Sequence, residues 1–105
     1  MIRVTAKVDE MSTQFVISGH SGLDEKGKDI VCAAVSVLVN HMANLIEAWA
    51  EQGVVELKLI QLEEPNHIFC LTRGNPVVNA AVDTYVNIFL QIAEQYPDNI
   101  RVTLL

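Results

Sequence analysis

From Ile2 to Val8 apolar and polar residues alternate, with Ile2, Val4, Ala6 and Val8 sharing one side. That period of two predicts a half-buried strand. A second short run, QFVIS at 14–18, is β-branched and aromatic, and the DEMST before it supplies turn residues, so the pair reads as a hairpin. After Asp29 the period changes. Ile30, Ala33/Ala34, Val37/Leu38, His41, Leu45 and Ala48/Trp49 recur at helical spacing to about Gln52, and Gly53 follows as a stop. The first half of this helix, IVCAAVSVLV, is apolar on nearly all sides, which predicts burial on more than one face, inside the domain or between subunits. Residues 54–62 alternate as a strand, EEPNH is a turn and 67–72 a further strand. RGNP then breaks the chain, Pro76 suits the first turn of a second helix running to about Gln95, and IRVTLL closes as a strand.

The element order is therefore β-β-α-β-β-α-β. Two helices on one face of a mixed sheet make an α/β two-layer sandwich, and 105 residues fit one domain, 1–105. The strand order is not legible from the pattern. Half the residues are hydrophobic and only 19% are charged, which excludes a disordered chain. A net charge of −6 argues against direct nucleic-acid binding or an anionic membrane surface and leaves basic protein partners open. No apolar run approaches the roughly 20 residues that cross a bilayer, and the N-terminus lacks the apolar centre of a secretory signal. A cytoplasmic location is expected, where Cys32 and Cys70 would be free thiols.

Between the hairpin and the first helix lies GHSGLDEKGK, a long polar loop with three glycines. Loops of this length in small domains tend to be functional or mobile, and residues 19–28 are expected to be mobile without substrate. Cys32 follows in the first helical turn. Unpaired backbone N–H groups and the helix dipole there favour a thiolate. His20, flanked by Gly19 and Ser21, lies twelve residues upstream, where a folded-back loop brings it beside the sulfur. Nucleophile and base are the minimum for covalent acyl transfer. Asp29, Cys32 and Ser36 line one helical face, and Asp29 can cap the helix, orient the histidine, or both.

Each of these residues has a plainer reading. A lone cysteine near a helix start is more often a small buried hydrophobe, and an aspartate there is usually only a cap. Ser21 lacks the G-x-S-x-G context of a serine nucleophile, and the glycines make no phosphate-binding fingerprint. Cys70 reads as a core residue of its strand, and His41 and His67 as structural. A zinc site from His20, Cys32, His67 and Cys70 lacks close-paired ligand spacing, so neither metal nor cofactor is expected.

The run G-H-S-G-x-x-x-x-G-x-D-I-V-C-A-A-V-S resembles the signature of the ribosomal-processing cysteine protease (Prp) family, and length, acidity and element order fit along the whole chain. The resemblance implies a homodimeric cysteine endopeptidase that removes the N-terminal extension of a large-subunit ribosomal protein precursor. It matches His20 to the catalytic histidine and Cys32 to the nucleophile. Asp29 and Ser36 match the motif's acidic and hydroxyl positions, in supporting or substrate-binding roles, and Gly19, Gly22 and Gly27 match its pliable loop. Two other classes compete: a non-enzymatic dimeric module for ribosome assembly, and a redox sensor using Cys32. Alkylation at neutral pH separates them, because a protease labels fast at Cys32 and cuts, a sensor labels and does not cut, and a binding module does neither.

Overall fold

A computed structural model describes residues 1–8, 12–25, 29–63, 66–72 and 76–105, with the side chains of 57–63, 66 and 70–72 excepted. The elements follow the expected order: β1 (Ile2–Val8), β2 (Ser12–Ser18), α1 (Ile30–Glu51), β3 (Leu57–Glu63), β4 (Asn66–Thr72), α2 (Pro76–Gln95) and β5 (Ile100–Leu104). The strands form one sheet in the order β3-β4-β2-β1-β5. β1 is parallel to β5 and antiparallel to β2, and β2 and β3 both run antiparallel to β4, so the sheet is mixed.

Alternation along the strands explains the single layer of helices. Ile2, Val4 and Ala6 of β1 and Thr13, Phe15 and Ile17 of β2 are buried, while Arg3 and Lys7 are exposed. α1 packs over β3 and α2 over β5, closing one core against that face. Phe15 and Phe69 are directly paired across β2 and β4 and fully buried, as is Phe89 of α2.

α1 buries Val31, Val35, Val39, Met42, Ala43 and Ile46, a stripe at helical spacing. The expected burial on more than one face is not met within one chain: Ile30 is 59% exposed and Val37 68%. By length and composition α1 would also suffice to cross a bilayer, which corrects the expectation that nothing here approaches that length. In this fold its apolar stripe is the lid of the core.

Two boundaries differ from the sequence reading by more than one residue. β2 begins at Ser12 because Thr13, read as turn, is buried on the core face with Phe15 and Ile17. The next strand begins at Leu57, not Val54, because residues 52–54 end the helix. Gly53 adopts φ +73°, its N–H bonds to Ala50 O at 3.1 Å, and Val54 N–H bonds to Trp49 O at 2.9 Å. That pair of bonds is a Schellman turn, and it consumes the amides an earlier strand would have used. The expected burial of Cys70 and the mobility of residues 26–28 concern side chains or residues outside those described.

Candidate active site

β2 runs out at Ser18 into Gly19, whose φ of +87° turns the chain back over the start of α1. The turn brings His20 and Cys32 into the wall of one cavity of about 740 Å³. Gly19, His20 and Asp24 form its loop side, and Cys32, Ser36 and Asn40 mark successive turns of α1 along it. Ile2, Ile17, Val35 and Val39 supply an apolar floor, and Asp29 and His67 also line it. The helical alignment of Asp29, Cys32 and Ser36 thus projects all three to the same cavity. Gly22 also has a positive φ, +70°, in the described part of the loop, whereas Gly27 is outside the described residues.

Asp29 is the N-cap of α1, and its carboxylate is where loop and helix meet. Oδ1 accepts the N–H groups of Val31 and Cys32, both at 3.0 Å. Oδ2 accepts a hydrogen bond from the Ser21 hydroxyl, and the N–H groups of Leu23 at 3.1 Å and Asp24 at 3.4 Å. These donors favour the charged form, led by the Ser21 hydroxyl and then the Cys32 amide. They outweigh burial and hold the Asp29 carboxyl down at about 2, against an ordinary 3.8.

This changes one expectation. The sequence predicts unpaired first-turn amides facing the sulfur. Instead Val31 and Cys32 spend theirs on Asp29 Oδ1, and Ala33 N–H bonds to the Asp29 carbonyl at 3.0 Å. Asp29 is thus a cap and a loop anchor, and no bond from it to His20 is present among the described contacts. The amide that does reach the thiol belongs to the loop: Ser21 N–H donates to Cys32 Sγ at 3.4 Å. The Cys32 thiol is half-buried and in turn lies 3.6 Å from Ser21 Oγ.

Three contributors were not found in the sequence. Ser21, discounted as a nucleophile, is 2% exposed and bonded to both Asp29 and Cys32. Asn99, beyond α2, donates its side-chain amide to Ser21 O at 3.0 Å, bridging 78 positions along the chain. His67 stands opposite Ile17 in the β2–β4 register and lines the cavity, with a buried Nδ1 that has no hydrogen-bond partner among the described residues. Sequence offers no local signal for any of them, because strand register and chain reversal place them. Although His20, Cys32 and His67 share the cavity, no group of three potential metal ligands is clustered among the described residues.

A cleft with a thiol at a helix start, a histidine on the loop above it and an apolar floor defines a thiol-hydrolase type of site. The family model of the cysteine protease Prp matches residues 1–101, so the chain belongs to that family of cysteine proteases. Solved structures agree in fold. The essential ribosomal processing protease Prp of S. aureus, with a covalently linked product peptide, has a TM-score of 0.73 at 24% identity, over all of both chains. The same S. aureus protease with a substrate peptide gives 0.64 at 25% identity, again over the whole of each chain. SMU.848 of Streptococcus mutans gives 0.68 at 22% identity, covering all of this chain and 94% of its own. No curated protein sequence matches significantly.

Proposed function

We propose that the protein is a cytoplasmic, homodimeric cysteine endopeptidase that removes the N-terminal extension of a large-subunit ribosomal protein precursor. Cys32 is its nucleophile and His20 its general base. The observation that carries this reading is the shared cavity: the half-buried thiol and the histidine face one groove whose floor is apolar. Family membership supports the chemistry, and the S. aureus relative is a ribosomal processing protease solved with peptides. The net charge of −6 suits a basic ribosomal protein, whose approach would be electrostatically assisted.

In the reaction, His20 takes the Cys32 proton as sulfur attacks the backbone carbonyl of the scissile bond. His20 then protonates the leaving amine, and water hydrolyses the thioester. The carbonyl oxygen needs donors as it gains charge. The helix-start amides serve that need only by sharing with or releasing Asp29 Oδ1. Asp29 fixes the loop against the helix, and Ser36, which lines the cavity one turn beyond Cys32, contacts the peptide in this reading.

Incubating the purified protein with the full-length precursor and measuring intact mass tests this directly. Loss of one N-terminal segment supports it, and an unchanged precursor beside correctly folded protein refutes it. Dimerisation is supported by a second groove of about 450 Å³ between α1 and α2, lined by Val37, Leu38, Leu45, Ala81, Tyr85 and Ile88 among others.

A further inference from the structure

Ser21 touches the sulfur twice, by its amide and by its hydroxyl oxygen. A serine hydroxyl carries one hydrogen. That hydrogen is committed to Asp29 Oδ2, a carboxylate ionised at any pH at which the enzyme would work. The oxygen therefore offers only lone pairs to its other neighbours, Leu23 N–H at 3.3 Å and Cys32 Sγ at 3.6 Å. A thiol is suited to that position, since S–H donates to the oxygen. A thiolate there would face lone pairs, and among the described residues only the Ser21 amide, at 3.4 Å, donates a hydrogen bond to it.

From this geometry we infer that Ser21 is a positioning residue that holds the S–H of Cys32 at rest, so that the dyad is not a preformed ion pair. The inference rests on the reading of Cys32 as nucleophile and specifies how that nucleophile is activated. The S–H bond breaks only as the S–C bond to the substrate carbonyl forms. The proton passes to a ring nitrogen of His20, and the carbonyl π electrons move to its oxygen. Between turnovers the thiol is protected, because a protonated sulfur is a poor target for oxidants and alkylating agents, so the fast labelling at neutral pH expected of a protease does not apply to this one.

Other groups around the sulfur do not account for the effect. Among the described residues, Asp29 from the helix start, His20 and Asp24 from the loop, and His67 from β4 are the titratable side chains lining the cavity with it. Removing the hydroxyl takes one donor from Asp29, but all four side chains stay and Asp29 Oδ2 keeps the Leu23 and Asp24 amides. The Ser21 backbone also keeps its bond to the Asn99 side chain and its amide contact to the sulfur, so the loop retains two anchors.

The test is the pH dependence of iodoacetamide labelling at Cys32, read by mass spectrometry of its peptide from the full chain. Wild type, Ser21→Ala and Ser21→Thr are compared. Losing a neutral hydrogen bond predicts that Ser21→Ala shifts the labelling midpoint to lower pH, with roughly threefold to tenfold more thiolate below the midpoint. Ser21→Thr retains a hydroxyl and should label like wild type. The midpoint is read rather than the rate, because a more acidic thiolate is intrinsically less nucleophilic. A midpoint that stays or rises in Ser21→Ala, or an equal downward shift in Ser21→Thr, overturns the inference. If Ser21→Ala does not fold, Ser21→Gly takes its place. Failure of both to fold also overturns the inference, since the hydroxyl would then be serving the fold. No substrate is used, so this result is separate from whether Cys32→Ala abolishes cleavage, which decides the underlying reading.

Discussion

Asp29 shows how one side chain can set both the stability and the shape of a site. The Ser21 hydroxyl and the amides of Leu23, Asp24, Val31 and Cys32 all point at its carboxylate, so loop and helix start form one unit only while it is charged. Its carboxyl is lowered to about 2 in the fold from 3.8. Between those values the unfolded chain binds the proton more readily than the folded one, so stability rises with pH across that window. The contribution is complete above about pH 4 and disappears as pH falls towards 2. Thermal unfolding of wild type should therefore lose Tm over that interval more steeply than Asp29→Asn, and parallel curves would count against this role. Replacing His20 by Ala should cost roughly 10²–10⁴-fold in kcat/KM while leaving Tm nearly unchanged. His20, Cys32 and Asp29 were legible because glycines, a helix cap and a first-turn cysteine are local signals. Ser21, Asn99 and His67 were not, because their roles depend on contacts made across the fold.

At the scale of elements, α1 was readable almost to the residue because both of its ends are chemical. Asp29 caps the start and Gly53 the stop, and Pro76 likewise marks where α2 begins. The start of β3 was misread because Val54 and Val55 look like strand, whereas the Schellman turn uses Val54 and the core takes up Val55. Two glycines with the same sign of φ make a paired prediction. At Gly53 a Cβ would meet nothing within 4 Å, so Gly53→Ala pays only left-handed strain, roughly 1–2 kcal/mol, with turnover retained in the folded protein. At Gly19 a Cβ would collide with the backbone carbonyl of Met1, which cannot swing aside as a flexible side chain would. Gly19→Ala should therefore displace the strand-to-loop turn that carries His20, and lower kcat/KM beyond its effect on Tm. Comparing kcat/KM and Tm for the two variants checks this, and equal effects of both on activity would contradict it.

For the molecule as a whole, one helix layer on a five-stranded sheet leaves the outer faces of α1 and α2 open. The sequence revealed this as an excess of apolar residues along 30–39, without indicating whether the excess turned inward or outward. Val37, at 68% exposed, lies in the groove between the helices, where a second copy would cover it. Sedimentation should show a dimer for wild type and a shift towards monomer for Val37→Glu, since a desolvated, unpaired charge is costly at an interface. A wild-type monomer at micromolar concentration would contradict the proposed assembly. The strand order, with β1 between β2 and β5, also lay beyond the sequence, since alternation marks faces but not neighbours.

The central claim is that the thiol at the start of α1 cuts the peptide bond. The most direct measurement is intact-mass analysis of the precursor after incubation with wild type, Cys32→Ala and Cys70→Ala, each first shown to be folded by circular dichroism. Cys32→Ala keeps a strong helix former in the first turn and should fold, yet leave the precursor at full mass. Cys70→Ala should release the same N-terminal segment as wild type. Processing by Cys32→Ala, with none by Cys70→Ala, would place the nucleophile elsewhere and overturn the account.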